Sequence, residues 1–210
     1  GLCRLDPNTG IGDPTPAFTY CLNLAEVEVD TKTGKTTALK FTCVDFVGRI
    51  GNIDAVNGQA YSGIMHGIGF ALKEDYADVK KHANMFGAGT SYIKDVPDDI
   101  NLIHIDGAIS DGPFGSSGAS EAFQASGHCA VLNGIYNACG VRIHEIPALP
   151  EKVKAGLDAI AKGEKPYEPK KYFLGSDMYE ELENIKENPV QVGTQSFYVS
   201  LDDPTAERPF

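Results

Sequence analysis

The residues of this 210-residue sequence best suited to chemistry stand together in GPFGSSGASE, residues 112–121. Three glycines and three serines in ten positions make a backbone that can turn tightly and approach a ligand closely. The stretch ends in a single carboxylate, Glu121, just before a long apolar helical pattern. A lone acid beside exposed amide N–H groups can face a cofactor and move a proton. The same residues also suit an ordinary turn followed by a helix-starting Glu. On residue types alone both readings stay open. The five cysteines (Cys3, Cys21, Cys43, Cys129, Cys139) stand far apart, with no CxxC and no His/Cys zinc spacing. They read as buried small hydrophobes with free thiols, which places the protein in a reducing compartment, the cytoplasm. His104, in INLIHI, reads as a strand residue on the polar face and not as a ligand.

The elements that must position Glu121 follow from periodicity. Residues 18–30 and 35–47 read as a β-hairpin, with Ala25, Val27 and Val29 facing one way and Glu26 and Glu28 the other. Gly34 supplies a positive φ in its turn. Residues 48–58 read as a glycine-rich loop leading into a helix from Gln59 to Glu74, with Ile64, Ile68, Ala71 and Leu72 on one face. Gly63, Gly67 and Gly69 weaken that helix and make sense where a backbone or ligand lies against it. Ile100–Ile105 alternates as a strand with Ile100 and Leu102 inward, and a short strand is expected around Tyr92 and Ile93. Residues 122–139 form a helix with Val131, Leu132, Ile135 and Cys139 inward and Gly140 after its end. Val141–Ile146 is expected as a strand, and a helix starts at Pro150 and ends at Gly163. Beyond it come an extended linker at 165–171, a short helix over 176–188 and an arm over 189–210. The fold class is α+β, with antiparallel or mixed sheets and packed helices. The domain division is 1–163 and 164–210.

A net charge of −11 and a pI near 4.8 argue against nucleic-acid binding, which calls for a basic face. No apolar run reaches the about 18 residues of a membrane span. The opening residues 1–16 read as loop, without an initiator Met or a signal peptide, as in a processed piece or part of something larger.

Four stretches from Leu24 to Gly156 resemble the C-terminal part of the molybdenum-binding domain of the xanthine oxidase family. They are LAEVEVDTKTGK (24–35), GNIDAVNGQAYSGIMHGIGFAL (51–72), GPFGSSGASE (112–121) and AVLNGIYNACGVRIHEIPALPEKVKAGL (130–157). Within that family the resemblance is greatest to bacterial aldehyde oxidoreductases that use molybdopterin cytosine dinucleotide. It implies that Glu121 lies beside the molybdenum as general base on a metal-bound hydroxyl, in a dry pocket that raises its basicity, so that an aldehyde becomes a carboxylic acid with water-derived oxygen. It places Gln59 against the pterin, Asn52 and Ala55 toward the dinucleotide part, and Gly118, Ala119 and Ser120 along the loop that passes the metal. A Gln amide both donates and accepts, which suits a pterin edge. Free N–H groups at the start of the Gln59 helix would favour a phosphate. No side chain of this chain is expected to ligate the metal, and tungsten would fit as well as molybdenum.

Some positions depart from the family pattern. Ser120 replaces a usual Gly, Ile53 replaces a frequent Pro, Ser62-Gly63 stands for Gly-Gly, and His66 stands where several members carry Gln. His66 is expected to be satisfied by neighbouring protein groups. These departures bear on the substrate more than on the cofactor. The eight cysteine ligands of two [2Fe–2S] clusters are not here. The resemblance therefore implies partners: the rest of the molybdenum domain, an iron–sulfur subunit or domain, FAD on another part, and a dimer of the assembled enzyme. Alternatives are an N-heterocycle or purine hydroxylase subunit, a non-catalytic assembly subunit, and a stand-alone small-molecule binding domain.

Overall fold

The structure is a computed structural model that describes residues 5–12, 17–78, 80–164 and 187. The linker expected at 165–171, the helix at 176–188 apart from Glu187, the arm at 189–210, and Cys3 lie outside the described residues.

Two strands, β1 (Tyr20–Val29) and β2 (Thr36–Phe46), pair antiparallel, with a register shift at Glu26/Val27. Their turn is closed by Asp30, whose carboxylate accepts from the Lys32 N–H and the Thr33 hydroxyl, and by Gly34 at φ 78°. A third strand, β3 (Asp99–His104), joins the other edge of β2 in parallel, so the sheet is mixed with the order β1-β2-β3. Parallel pairing needs a long crossover. Here it is supplied by α1 (Ile53–Leu72) and the turns after it, which include α2 (Met85–Ala88) and a 3₁₀ turn at Ile93–Asp95. That turn stands where a short strand was expected around Tyr92 and Ile93.

Helix α1 begins six residues earlier than the pattern of glycines suggests. Asn52 caps it, accepting the Ala55 N–H at 3.0 Å, and this cap turns most of the expected 48–58 loop into helix. After β3 the chain passes through the glycine-rich loop to α3 (Ala122–Ala125) and α4 (Gly127–Cys139). The expected single helix over 122–139 is split because Asn23, buried in β1, donates its amide to the Phe123 carbonyl at 3.0 Å and to the Ser126 hydroxyl at 2.9 Å. A side chain that takes a carbonyl at that point competes with the i→i+4 ladder.

The core lies between one face of the sheet and the helices. Phe41 and Cys43 from β2, Ile64 and Ile68 from α1, Phe123 and Val131 are all fully buried there. A smaller cluster of Ile135, Val141, Ala148 and Val153 lies under α5 (Pro150–Ala161). The expected strand at Val141–Ile146 does not form. Its residues run as irregular chain that packs Val141 inward, and the Ala148 N–H that follows donates to the Ala71 carbonyl at the end of α1. Alternation alone makes no strand where no neighbouring strand offers its N–H and C=O groups.

Candidate functional site

The glycine-rich loop is stitched to the segment that leads into α1. The Arg49 N–H donates to the Gly115 carbonyl at 2.8 Å, the Ser117 N–H to the Val47 carbonyl at 2.9 Å, and the Ser116 hydroxyl to the Arg49 carbonyl. An isolated antiparallel bridge joins Gly48 and Ser116. The loop needs its glycines for this fold: a Cβ on Gly112 would lie 1.9 Å from the Ser116 carbonyl oxygen. Phe114 takes the left-handed conformation at φ 54° with its ring almost wholly exposed.

This stitching sets the end of the loop beside the first turns of α1. The Ser120 hydroxyl donates to Gln59 Oε1 at 3.3 Å, while Ala119 packs on the cluster that contains Val56 and Ala60. Gly118 is exposed, a Cβ there would meet nothing within 4 Å, and its carbonyl accepts from the Thr19 hydroxyl. Asn52, Ala55 and Gln59 are spaced i, i+3, i+7, so they share one side of α1, and all three are exposed. The Ala55 N–H is already taken by Asn52, and Asp54 adds a negative charge in the first turn. The helix start whose N–H groups were expected at Gln59 lies instead at Ile53, and Gln59 lies in the second turn.

Glu121 stands at the head of α3, where its carbonyl accepts from the Gln124 and Ala125 N–H groups, both at 3.0 Å. Its side chain is exposed, and its carboxylate forms no hydrogen bond or ion pair among the described residues. The dry pocket expected around it is not built by these residues. Behind it, α1 touches α3 and α4 through glycine: a Cβ on Gly63 would lie 2.6 Å from Phe123 Cβ in α3, and one on Gly67 would lie 2.9 Å from Gly127 Cα in α4. Gly63 and Gly67 thus meet another backbone, whereas Gly69 faces the side chains of Glu74 and Ser91. His66 Nδ1 lies 3.4 Å from Gln124 Oε1, a neighbouring protein group.

One cluster escaped the sequence reading. Asp45 at the end of β2 holds His104 Nδ1 at 2.6 Å, and His104 Nε2 lies 2.7 Å from Asn57 Oδ1 on α1. The Asp45 side chain is fully buried and that of His104 is 10% exposed. His104 is therefore not on the polar face. It shares the inward side with Leu102 two residues earlier, and this period-2 relation was the signal that could have found it. Burial pushes the Asp45 carboxyl above the usual carboxylate range, against the hydrogen bond and charge of His104.

Residues 3–97 match the molybdopterin cofactor-binding domain family. An aldehyde oxidoreductase of Megalodesulfovibrio gigas is 43% identical over 159 residues, which are 76% of this chain and 18% of that protein. The crystal structure of the aldehyde oxidoreductase from Desulfovibrio desulfuricans superposes with a TM-score of 0.66 at 48% identity, covering 69% of this chain and 16% of the other. The chain corresponds to part of a molybdopterin-binding domain of the xanthine oxidase family. A third relative, the nicotine 6-hydroxylase large subunit of Paenarthrobacter nicotinovorans, is 30% identical over 154 residues, 69% of this chain and 18% of that protein. The chain thus spans less than a fifth of the length of each of these molybdopterin-family relatives. Its mixed sheet with packed helices is the fold of that domain portion.

The donor set of this molybdopterin-binding portion suits a pterin cofactor. The Gln59 amide, with one oxygen held by Ser120, keeps its NH₂ for donation. Gly118, two residues before Ser120 in the run of small residues, leaves open space where a Cβ would stand.

Proposed function

We propose that this chain supplies one wall of the cofactor site in a molybdenum-dependent aldehyde oxidoreductase, with Glu121 as the proton-accepting base. The observation that carries this reading is the contact of Ser120 with Gln59. It brings the end of the loop, where Glu121 is the next residue, to the exposed side of α1 that carries Asn52, Ala55 and Gln59. When bound, a molybdenum–pterin cofactor supplies a two-electron acceptor and the polarisation that makes water acidic enough to deprotonate at neutral pH.

The remaining work falls to this chain's residues. Gln59 donates from Nε2 to the pterin edge, while the Ser120 hydroxyl fixes its Oε1. Gly118 and Ala119 allow close approach of the backbone. Asn52 keeps its amide NH₂ for the dinucleotide part, taken as the cytosine form, since its oxygen is used by the cap. Ala55 lines the same side without crowding it. The Glu121 carboxylate takes the proton from the attacking oxygen and releases it after turnover, and it has no competing ion pair among the described residues. The rest of the molybdenum domain closes the pocket and excludes water. Iron–sulfur clusters and FAD belong to other parts of the assembled enzyme, itself a dimer.

The test is Glu121→Gln in the assembled enzyme. The change removes the charge, keeps the shape, and touches no hydrogen bond of the described fold. Turnover is expected to fall by about 10²- to 10⁴-fold with bound molybdenum unchanged. Retained turnover would remove Glu121 from the role of base, and lost metal would make it a binding residue. A second reading, hydroxylation of an N-heterocycle, is supported by the similarity to a nicotine 6-hydroxylase subunit. Turnover of a nicotine-like heterocycle faster than any aldehyde would favour it.

A further inference from the structure

We propose that Asp45 and His104 are positioning residues: through Asn57 they hold the first turns of α1, and with them Gln59, against the strand from which the Glu121 loop departs. The three side chains come from β2, β3 and α1, and they form a continuous chain of contacts at 2.6 and 2.7 Å. Both neighbours of the imidazole are oxygens. The Asp45 carboxyl takes up His104 Nδ1, which leaves Nε2 to face Asn57 Oδ1. Asp45 thereby fixes which ring nitrogen faces α1.

The arrangement is expensive in stability, which argues that orientation is what it supplies. The fully buried Asp45 carboxylate leaves Oδ1 without a hydrogen-bond partner among the described residues. Burying a polar atom unpaired costs stability that an apolar pair would not. Cys21 and Cys43, the other titratable groups close to Asp45 on the inner face, hold each other at 3.5 Å and do not satisfy it. The location is also specific. Asn57 lies two residues before Gln59, and His104 is the last residue of β3 before the chain runs on toward Gly112. The next N–H, that of Ile105, is bonded to the Asp45 carbonyl at 2.8 Å. One aspartate therefore grips both the end of β3 and, through His104, the helix that carries Gln59. This inference rests on the proposed cofactor wall for its catalytic consequence, but not for its structural core.

The test separates the two. Amide hydrogen exchange is measured on the full chain, without cofactor, for wild type, N57A, H104Q and H104N. A Gln at 104 can place its amide where Nε2 stood and donate to Asn57; an Asn is too short and reaches only Asp45. The anchor predicts that N57A and H104N speed exchange in residues 53–60 by about tenfold or more. Residues 64–72 and the β1-β2 hairpin keep wild-type rates, and H104Q restores protection of 53–60. Uniform acceleration over the whole fold, no acceleration, or equal behaviour of H104Q and H104N would overturn it. In the assembled enzyme N57A is then expected to lower kcat at least tenfold with KM for the substrate unchanged, because Gln59 faces the cofactor and not the substrate. An unchanged kcat would overturn the catalytic consequence. Altered exchange at 53–60 with an unchanged kcat would locate the failure in the proposed cofactor wall and leave the anchor standing.

Discussion

Replacing Gly63 by alanine should destabilise the protein, although alanine is the better helix former. Gly63 lies in the middle of the 20-residue α1, where Gly→Ala ordinarily gains about 1 kcal/mol. A Cβ at this position would stand 2.6 Å from Phe123 Cβ, 2.8 Å from the Phe123 carbonyl carbon and 2.9 Å from the Gln124 nitrogen. Two of these atoms are backbone, and Phe123 is fully buried, so α3 cannot yield by turning a side chain. Overpacking of this kind costs typically 1–3 kcal/mol. With rigid neighbours we take the cost as about 3 kcal/mol, which leaves a net loss of about 2 kcal/mol after the helix gain. For a protein of this size that lowers Tm by about 4–8 °C. Gly58 is the internal control. It lies in the same helix, is exposed, and has nothing within 4 Å of its Cβ position. Gly58→Ala should therefore raise Tm by about 2–4 °C. The assay is thermal melting of both variants beside wild type. A Gly63→Ala protein that melts at or above the wild-type temperature would refute the close contact of α1 with α3, and with it the placement of Glu121 at the head of α3.

Two further outcomes follow from local contacts. Asn52→Ala removes the cap of α1 and should cost about 1 kcal/mol in denaturant unfolding, whereas Asn52→Asp, an equally good cap, should stay within a few tenths of wild type. Burial raises the Asp95 carboxyl, but the Lys73 hydrogen bond at 2.6 Å, the Tyr92 N–H and the Lys73 charge outweigh it, so its pKa falls below the usual value. A depressed acid contributes stability that is present above the unfolded value near 3.9 and is lost as pH falls through the folded one. The pair is partly exposed, so the contribution is up to about 1 kcal/mol. Asp95→Asn should be less stable than wild type at pH 7, and the two should converge in an acid unfolding titration once the pH has fallen through the folded value of Asp95.

Where one stretch of chain carried its own instruction, the sequence was legible. The hairpin formed as expected because Ala25, Val27 and Val29 alternate with Glu26 and Glu28, and because Asp30 and Gly34 close the turn without outside help. The buried side of α1 followed from the spacing of Ile64, Ile68 and Ala71, and the ends of α4 and α5 followed from Gly140 and Gly163, both at positive φ. The family was legible because four stretches, the one around Glu121 among them, stand in the family's order along the chain.

The rest depended on groups far apart in the chain. Asn23 splits the helix after Glu121 from 100 residues away, and no local pattern announces it. The segment 141–146 alternates like a strand, yet it stays irregular because strand formation needs a neighbour's backbone. His104 changed from an exposed strand residue to a buried link because its fate depends on Asp45, 59 residues earlier, and on Asn57 across the crossover. The contact of Ser120 with Gln59 has the same character, a hydrogen bond between residues 61 apart. The residue types able to serve a cofactor are thus written in the sequence, since a side chain's chemistry is local. Their arrival on one surface is decided by tertiary packing, because glycine contacts and buried polar links fix how closely α1, α3 and β3 approach.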